Sequence, residues 1–187
     1  ETPFWCGPAS TQVVLNSHGI RETERSLAAQ LGTHTGGTDH VGLFPRVLNK
    51  YTDAGYYSRT MPQDPPTREQ VERLWADLTA SINGGHGVIA NIVAPMSNYP
   101  RGVKGSASPR YVGGTVYHYV SLMGYDDNPA ERAVWVADSG FQPQGYWISF
   151  SQLATLIPPK GYVAAPGPVA APPADDVAAR VDAAMAK

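Results

Sequence analysis

The sequence predicts an α+β domain, and three observations carry that prediction. Apolar residues recur at helical spacing in the first half, most clearly at Val71, Leu74, Trp75, Leu78 and Ile82. From Tyr117 onward, β-branched and aromatic runs are separated by turns too short for a crossover helix, so successive strands should pair antiparallel. Beyond Val163 the composition turns to proline and alanine, which cannot build a core. Helices first and an antiparallel sheet second is the α+β order.

The elements follow in order. Pro8 suits the first position of a helix, where its missing N–H has no partner, which makes Gly7 the N-cap and puts Cys6 just before it. The helix continues from Thr11 to His18 with Val13 and Val14 inward, and Gly19 is its left-handed stop. Thr23 caps a second helix whose Leu27, Ala28 and Leu31 share a face, and Gly32 ends it. After a polar turn at 34–40, Val41, Phe44, Val47, Leu48 and Tyr51 mark a third helix, which Pro45 requires to start near Leu43 or Phe44. Residues 56–61 read as a strand closed by Pro62, Pro65 and Pro66. Thr67-x-x-Gln70 is a capping box that opens the helix carrying the Val71 stripe.

Residues 88–93 are a β-branched strand, and 94–116, rich in Gly, Pro and Ser, form a long loop that is a candidate rim for a groove. Strands at 117–123, 133–138 and 146–149 precede a short helix capped by Ser151 and stopped by Pro158 and Pro159. Tyr162 and Val163 add an edge strand. The expected organisation is a domain at 1–163, a Pro/Ala linker at 164–174, and at 175–187 the start of a helix leading to a further domain. Because the chain opens on Glu1 rather than Met, we expect a piece of a longer protein, and a removed signal peptide is compatible with it.

Composition excludes several function classes. A net charge of -2 over 187 residues gives no basic field for nucleic acid. No apolar run approaches the roughly 18–20 residues of a membrane span. Gly36-Gly37-Thr38 lacks the lysine of a phosphate loop, and His34, Asp39 and His40 match no helix-borne metal spacing, so neither cofactor nor metal is expected. The single cysteine forms no internal disulfide, and an active free thiol suits a reducing compartment.

That cysteine has two readings. It is a small hydrophobe at a helix entrance, or a nucleophile whose thiolate is favoured by the unpaired N–H groups and positive end of the helix. A cysteine hydrolase also needs an imidazole and an acceptor to orient it. His118, in a strand between Tyr117 and Tyr119, and Asp138, at the end of the next strand, are the candidates. Taken alone, His118 reads as a satisfied interior histidine and Asp138 as a turn residue; the triple is what favours chemistry. The 20 positions between them (138 minus 118) suit a strand, a turn and a return strand. Trp5, Tyr117, Tyr119, Phe141 and Trp147 are candidate walls of a cleft, or simply core aromatics.

Cys6-Gly7-Pro8-Ala9, Leu31-Gly32-Thr33 with Gly37-Thr38, Gly87 through Asn91, His118 through Asp127 and Val136-Ala137-Asp138 together resemble the C39-like cysteine peptidases. With the Pro/Ala linker, the chain is similar to the N-terminal peptidase modules of mycobacteriophage endolysins. The resemblance implies a papain-like fold with Cys6 as nucleophile, His118 as base and Asp138 as orienting acid. It also implies a peptidoglycan peptide substrate, a covalently linked downstream lysin domain, and residence in the host cytoplasm until lysis. Two departures stand out. The family usually has a glutamine five or six residues before the cysteine to hold the oxyanion, where this chain has Glu1, and a carboxylate cannot donate there. The family's Asp-Pro is here Asp138-Ser139. A peptidase acting on a protein or leader peptide, and a catalytically silent module that binds wall or a partner, remain alternatives.

Overall fold

The structure is a computed structural model that describes residues 2–168. Glu1, the linker beyond residue 168 and the helix expected at 175–187 lie outside the described residues.

Five α-helices and seven strands form the expected α+β, papain-like architecture among the described residues. The helices are α1 (Cys6–Ser17), α2 (Glu24–Leu31), α3 (Phe44–Tyr51), α4 (Arg68–Asn83) and α5 (Phe150–Leu156). The strands are β1 (Tyr57–Thr60), β2 (Val88–Ala94), β3 (Gly102–Val103), β4 (Val116–Asp126), β5 (Ala133–Ala137), β6 (Gly145–Ser149) and β7 (Gly161–Ala164). They pair antiparallel throughout, in the order β1-β7-β2-β4-β5-β6-β3. No helix among the described residues is long and apolar enough to cross a membrane.

The two faces of the sheet build two cores, and strand periodicity decides which residue joins which. Ile89 of β2 and Tyr119 of β4 join Leu15, Leu27, Phe44 and Leu48 on the side of α1, α2 and α3. Their neighbours Val88, Ala90, Val120 and Leu122 join Leu74, Leu78, Leu153 and Leu156 of α4 and α5. With both faces covered, β2 reads as a continuous apolar run rather than an alternating one.

Several expectations shift. The first helical hydrogen bond runs from Ala9 N–H to Trp5 C=O at 2.9 Å, so Trp5, not Gly7, is the N-cap and Cys6 is the first helical residue. Pro8 still fits, because first-turn N–H groups have no helical acceptor. Gly7 is set by packing instead: a Cβ there would strike the Thr38 side chain and come within 3.3 Å of the Phe44 ring. Val13 is only half-buried, and Val14 with Leu15 carries the inward face. Ser149 rather than Ser151 caps α5, accepting from Gln152 N–H at 3.3 Å. The Tyr162–Val163 segment is not an edge: β7 lies between β1 and β2, and burial continues to Ala165, whose N–H donates to Ser81 Oγ at 2.9 Å. The segment at 94–116 is mostly exposed or half-buried, but it carries β3, which pairs against β6, and it buries Tyr111.

A buried serine clasp fixes α1 on β4. Ser10 Oγ donates to the Tyr119 carbonyl at 3.1 Å, and Ser121 Oγ donates to the Ser10 carbonyl at 3.0 Å. Ser10 is one helical turn after Cys6, and Tyr119 adjoins His118, so the clasp sets the distance between those two side chains. Ser10→Ala and Ser121→Ala should each lower stability by about 1 kcal/mol. A fall in the urea midpoint at unchanged m-value would register that loss.

Candidate active site

Cys6 is half-buried at the start of α1, and His118 of β4 is buried beside it at 6 % exposure. The His118 Nε2 atom lies 2.8 Å from Asp138 Oδ1, just past the end of β5. With Nε2 committed to the carboxylate, Nδ1 is the ring nitrogen left over, and Cys6 borders the same two cavities as His118. His118 and Asp138 form a buried hydrogen-bonded pair, with Cys6 beside the imidazole.

Asp138 is 2 % exposed and has every lone pair engaged. Besides His118, its Oδ1 accepts from the N–H groups of Gly140 at 2.9 Å and Phe141 at 3.3 Å. Its Oδ2 accepts from the hydroxyls of Tyr111 at 2.7 Å and Tyr146 at 3.2 Å. Burial alone would raise its carboxyl pKa, but the His118 hydrogen bond and charge, with the Tyr111 and Gly140 donors, hold it below the usual range. Burial and the carboxylate push Tyr111 and Tyr146 up, so both stay neutral donors.

The same logic sets the other two groups. Burial pushes the Cys6 thiol up, yet the hydrogen bond and charge of His118, with the amides of Tyr119 and Gly7, outweigh it and the thiol ends below its ordinary value. Burial pulls His118 down, but Asp138 and Cys6 together push it up to about 9. Both shifts move the pair toward a thiolate beside an imidazolium, and the two titrations belong to the pair.

The ring is held in place by its neighbours. Phe141 packs edge-on to His118 at 5.5 Å between centroids and stacks on Tyr111 at 4.1 Å. Gly140 is required there, since a Cβ would sit 2.8 Å from His118 Cε1.

Two cavities meet at Cys6, Tyr117 and His118. One, of about 460 Å³, is walled by Trp5, Val116 and Phe141; the other, of about 220 Å³, by Gly37, Thr38, Asn91, Tyr119 and Lys160. Tyr117, 67 % exposed, stands between them. Of the five aromatic candidates, Trp5, Tyr117, Tyr119 and Phe141 thus reach these cavities. Trp147 does not; its ring rests against Trp135 at 5.6 Å. A larger cavity beside Lys104 and Arg132 contains none of these residues.

Sequence reasoning missed Tyr111, Tyr146, Asn91 and Lys160. A buried carboxylate demands donors, so hydroxyls around Asp138 were required in kind, but no local pattern says which tyrosines supply them. Gln12 is turned away, donating to the Glu22 carbonyl at 2.7 Å. Among the described residues no group of three or more His, Cys, Asp and Glu is placed to hold a metal; His34 and Asp39 form an exposed pair at 2.8 Å.

No match to this chain is found among curated proteins. The model of the Peptidase_C39 like family matches residues 1–155 of the 187, a span that includes Cys6, His118, Asp138 and all the described cavity walls except Lys160. The chain belongs to the Peptidase_C39 like family.

Proposed function

We propose that the protein is a cysteine endopeptidase that cuts amide bonds in bacterial peptidoglycan peptides, as the N-terminal module of a phage endolysin of the lysin A type. The observation that supports the peptidase chemistry is the buried His118–Asp138 pair bordering the same cleft as Cys6, with the thiol lowered and the imidazole raised. The Cys6 thiolate adds to the amide carbonyl to give a tetrahedral oxyanion. The His118 imidazolium then gives its proton to the departing nitrogen, and the C–N bond breaks to leave a thioester on Cys6. Water attacks the thioester as His118 takes its proton, and the proton returns as the thiol leaves. Asp138 keeps the imidazole oriented through both halves.

The oxyanion has one donor in the chain's own backbone, the Cys6 N–H, which opens α1 and has no helical acceptor. Support for the wall substrate is the sequence resemblance and the Pro/Ala composition after Val163. On this reading the enzyme waits in the host cytoplasm and reaches the wall at lysis, linked to a downstream lysin domain.

Digesting purified walls and following new amines by mass spectrometry tests the proposal. Wild type should release them and Cys6→Ala should not. Equal release by the variant would defeat the proposal, and release from proteins but not from walls would move the substrate to the first alternative.

A further inference from the structure

We infer that the smaller cavity beside Cys6 is a specificity subsite for a substrate residue bearing a free carboxylate, with Lys160 as its counter-charge and Asn91 as its polar wall. This rests on the peptidase reading in one respect: it takes the cleft to be where a peptide lies.

The charges around the cavity decide the sign. Lys160 lies just before β7 and makes no ion pair among the described residues, where the salt bridges use Arg59, Arg68, Lys104 and two histidines. Its ammonium sits 5.8 Å from the centre of the Tyr117 ring, the residue shared by both cavities. The ring holds the long side chain over the cleft without neutralising it. The His118 imidazolium borders the same space, although its charge is balanced by Cys6 and Asp138.

Asp39 is the opposing group. Its carboxylate is already bonded to His34 at 2.8 Å, and its side chain is 66 % exposed. It is therefore solvated and partly satisfied, whereas the cation is the unpaired group.

Asn91 supplies the second half of the recognition. It is 6 % exposed on β2, opposite Tyr119, and its amide borders the Tyr119 hydroxyl, which itself donates to the Thr38 carbonyl at 3.0 Å. No buried side-chain polar atom among the described residues lacks a partner, so Asn91 offers the cavity a polar wall that an incoming group can share. Gly36 and Gly37 add no side chain on the facing turn, so the space stays open to an incoming group. A carboxylate suits this set because it accepts from both the Lys160 ammonium and the Asn91 amide. A neutral amide of the same shape keeps only the weaker contacts.

The test uses paired peptides that differ only in Glu or Gln at one position, scanned on both sides of a candidate scissile amide. Two readouts are taken: cleavage, and protection of Cys6 against alkylation by iodoacetamide, which reports binding even where nothing is cut. We expect the Glu member to be favoured roughly tenfold at one position in both readouts. Lys160→Met should bring the ratio close to one, Lys160→Glu should invert it in favour of a Lys-bearing peptide, and Lys104→Met, a charge change in the distant cavity, should leave it unaltered. Equal protection by Glu and Gln peptides, or a preference that survives Lys160→Met, overturns the inference. Selective protection with no cleavage of peptides or walls would instead count against the peptidase reading while leaving the carboxylate subsite in place.

Discussion

His118→Ala is expected to lower amide hydrolysis by on the order of 10³- to 10⁴-fold, and also to cost stability, because Asp138 stays buried without its cationic partner. The loss has two sources. The leaving nitrogen loses its proton donor, and the thiol loses the hydrogen bond and charge of His118, so that its burial is opposed only by the Tyr119 and Gly7 amides and the thiol rises. Rates measured against pH separate these contributions. Wild type should show a bell, with an acid limb from the pair acquiring a proton at Cys6 and an alkaline limb at about 9, where His118 gives its proton up. In the variant the alkaline limb should vanish, and residual activity should rise with pH as thiolate forms. A variant retaining the wild-type bell would remove His118 from the mechanism.

The second large effect is expected at Asp138, where chemistry and stability meet. Asp138→Asn keeps the shape but removes the charge that holds the imidazolium, and turnover should fall by up to about 10⁴-fold. Asp138→Ala should in addition cost about 3–5 kcal/mol, because the buried His118 loses its partner and the hydroxyls of Tyr111 and Tyr146 and the amides of Gly140 and Phe141 lose theirs.

The pH dependence of stability gives the sign. A carboxyl held below its unfolded value contributes fully above the ordinary carboxylate range, and that contribution is lost as pH falls through the lowered value. His118, raised to about 9, contributes fully below its unfolded value of roughly 6.5 and loses that contribution as pH rises through about 9. Asp138→Ala should flatten the acid side of the stability profile, as denaturant midpoints at several pH values would reveal.

What could be read from the sequence was whatever local patterns specify. The Thr67 capping box and the Val71 to Ile82 stripe need only neighbours a few residues away, and α4 begins and ends as they require. Thr23 and Gly32 bound α2 for the same reason, with Ser26 N–H on Thr23 Oγ1 at 3.1 Å and Gly32 at φ 69°. The α1 start was misplaced because Gly7 and Pro8 resemble a cap locally, whereas the glycine answers to Thr38 and Phe44, distant in sequence. The place of β7 inside the sheet was likewise illegible, since a four-residue apolar strand reads the same at an edge or in the interior.

At the site, chain order and residue type pointed to Cys6, His118 and Asp138 as a group. The donors around the carboxylate were hidden because Tyr111 comes from a loop and Tyr146 from a strand, brought together only by sheet pairing. Trp147 sits one residue from Tyr146 on the same strand, and strand alternation sends it to the opposite face.

The central claim is that His118, oriented by Asp138, lowers the Cys6 thiol and so favours its thiolate. The rate of Cys6 alkylation by iodoacetamide, followed across pH by mass spectrometry in wild type and His118→Ala, tests it most directly. The account predicts a wild-type rate that inflects below the ordinary thiol value of about 8.5, and an inflection displaced upward in the variant. A single inflection near 8.5, identical in both proteins, would contradict it.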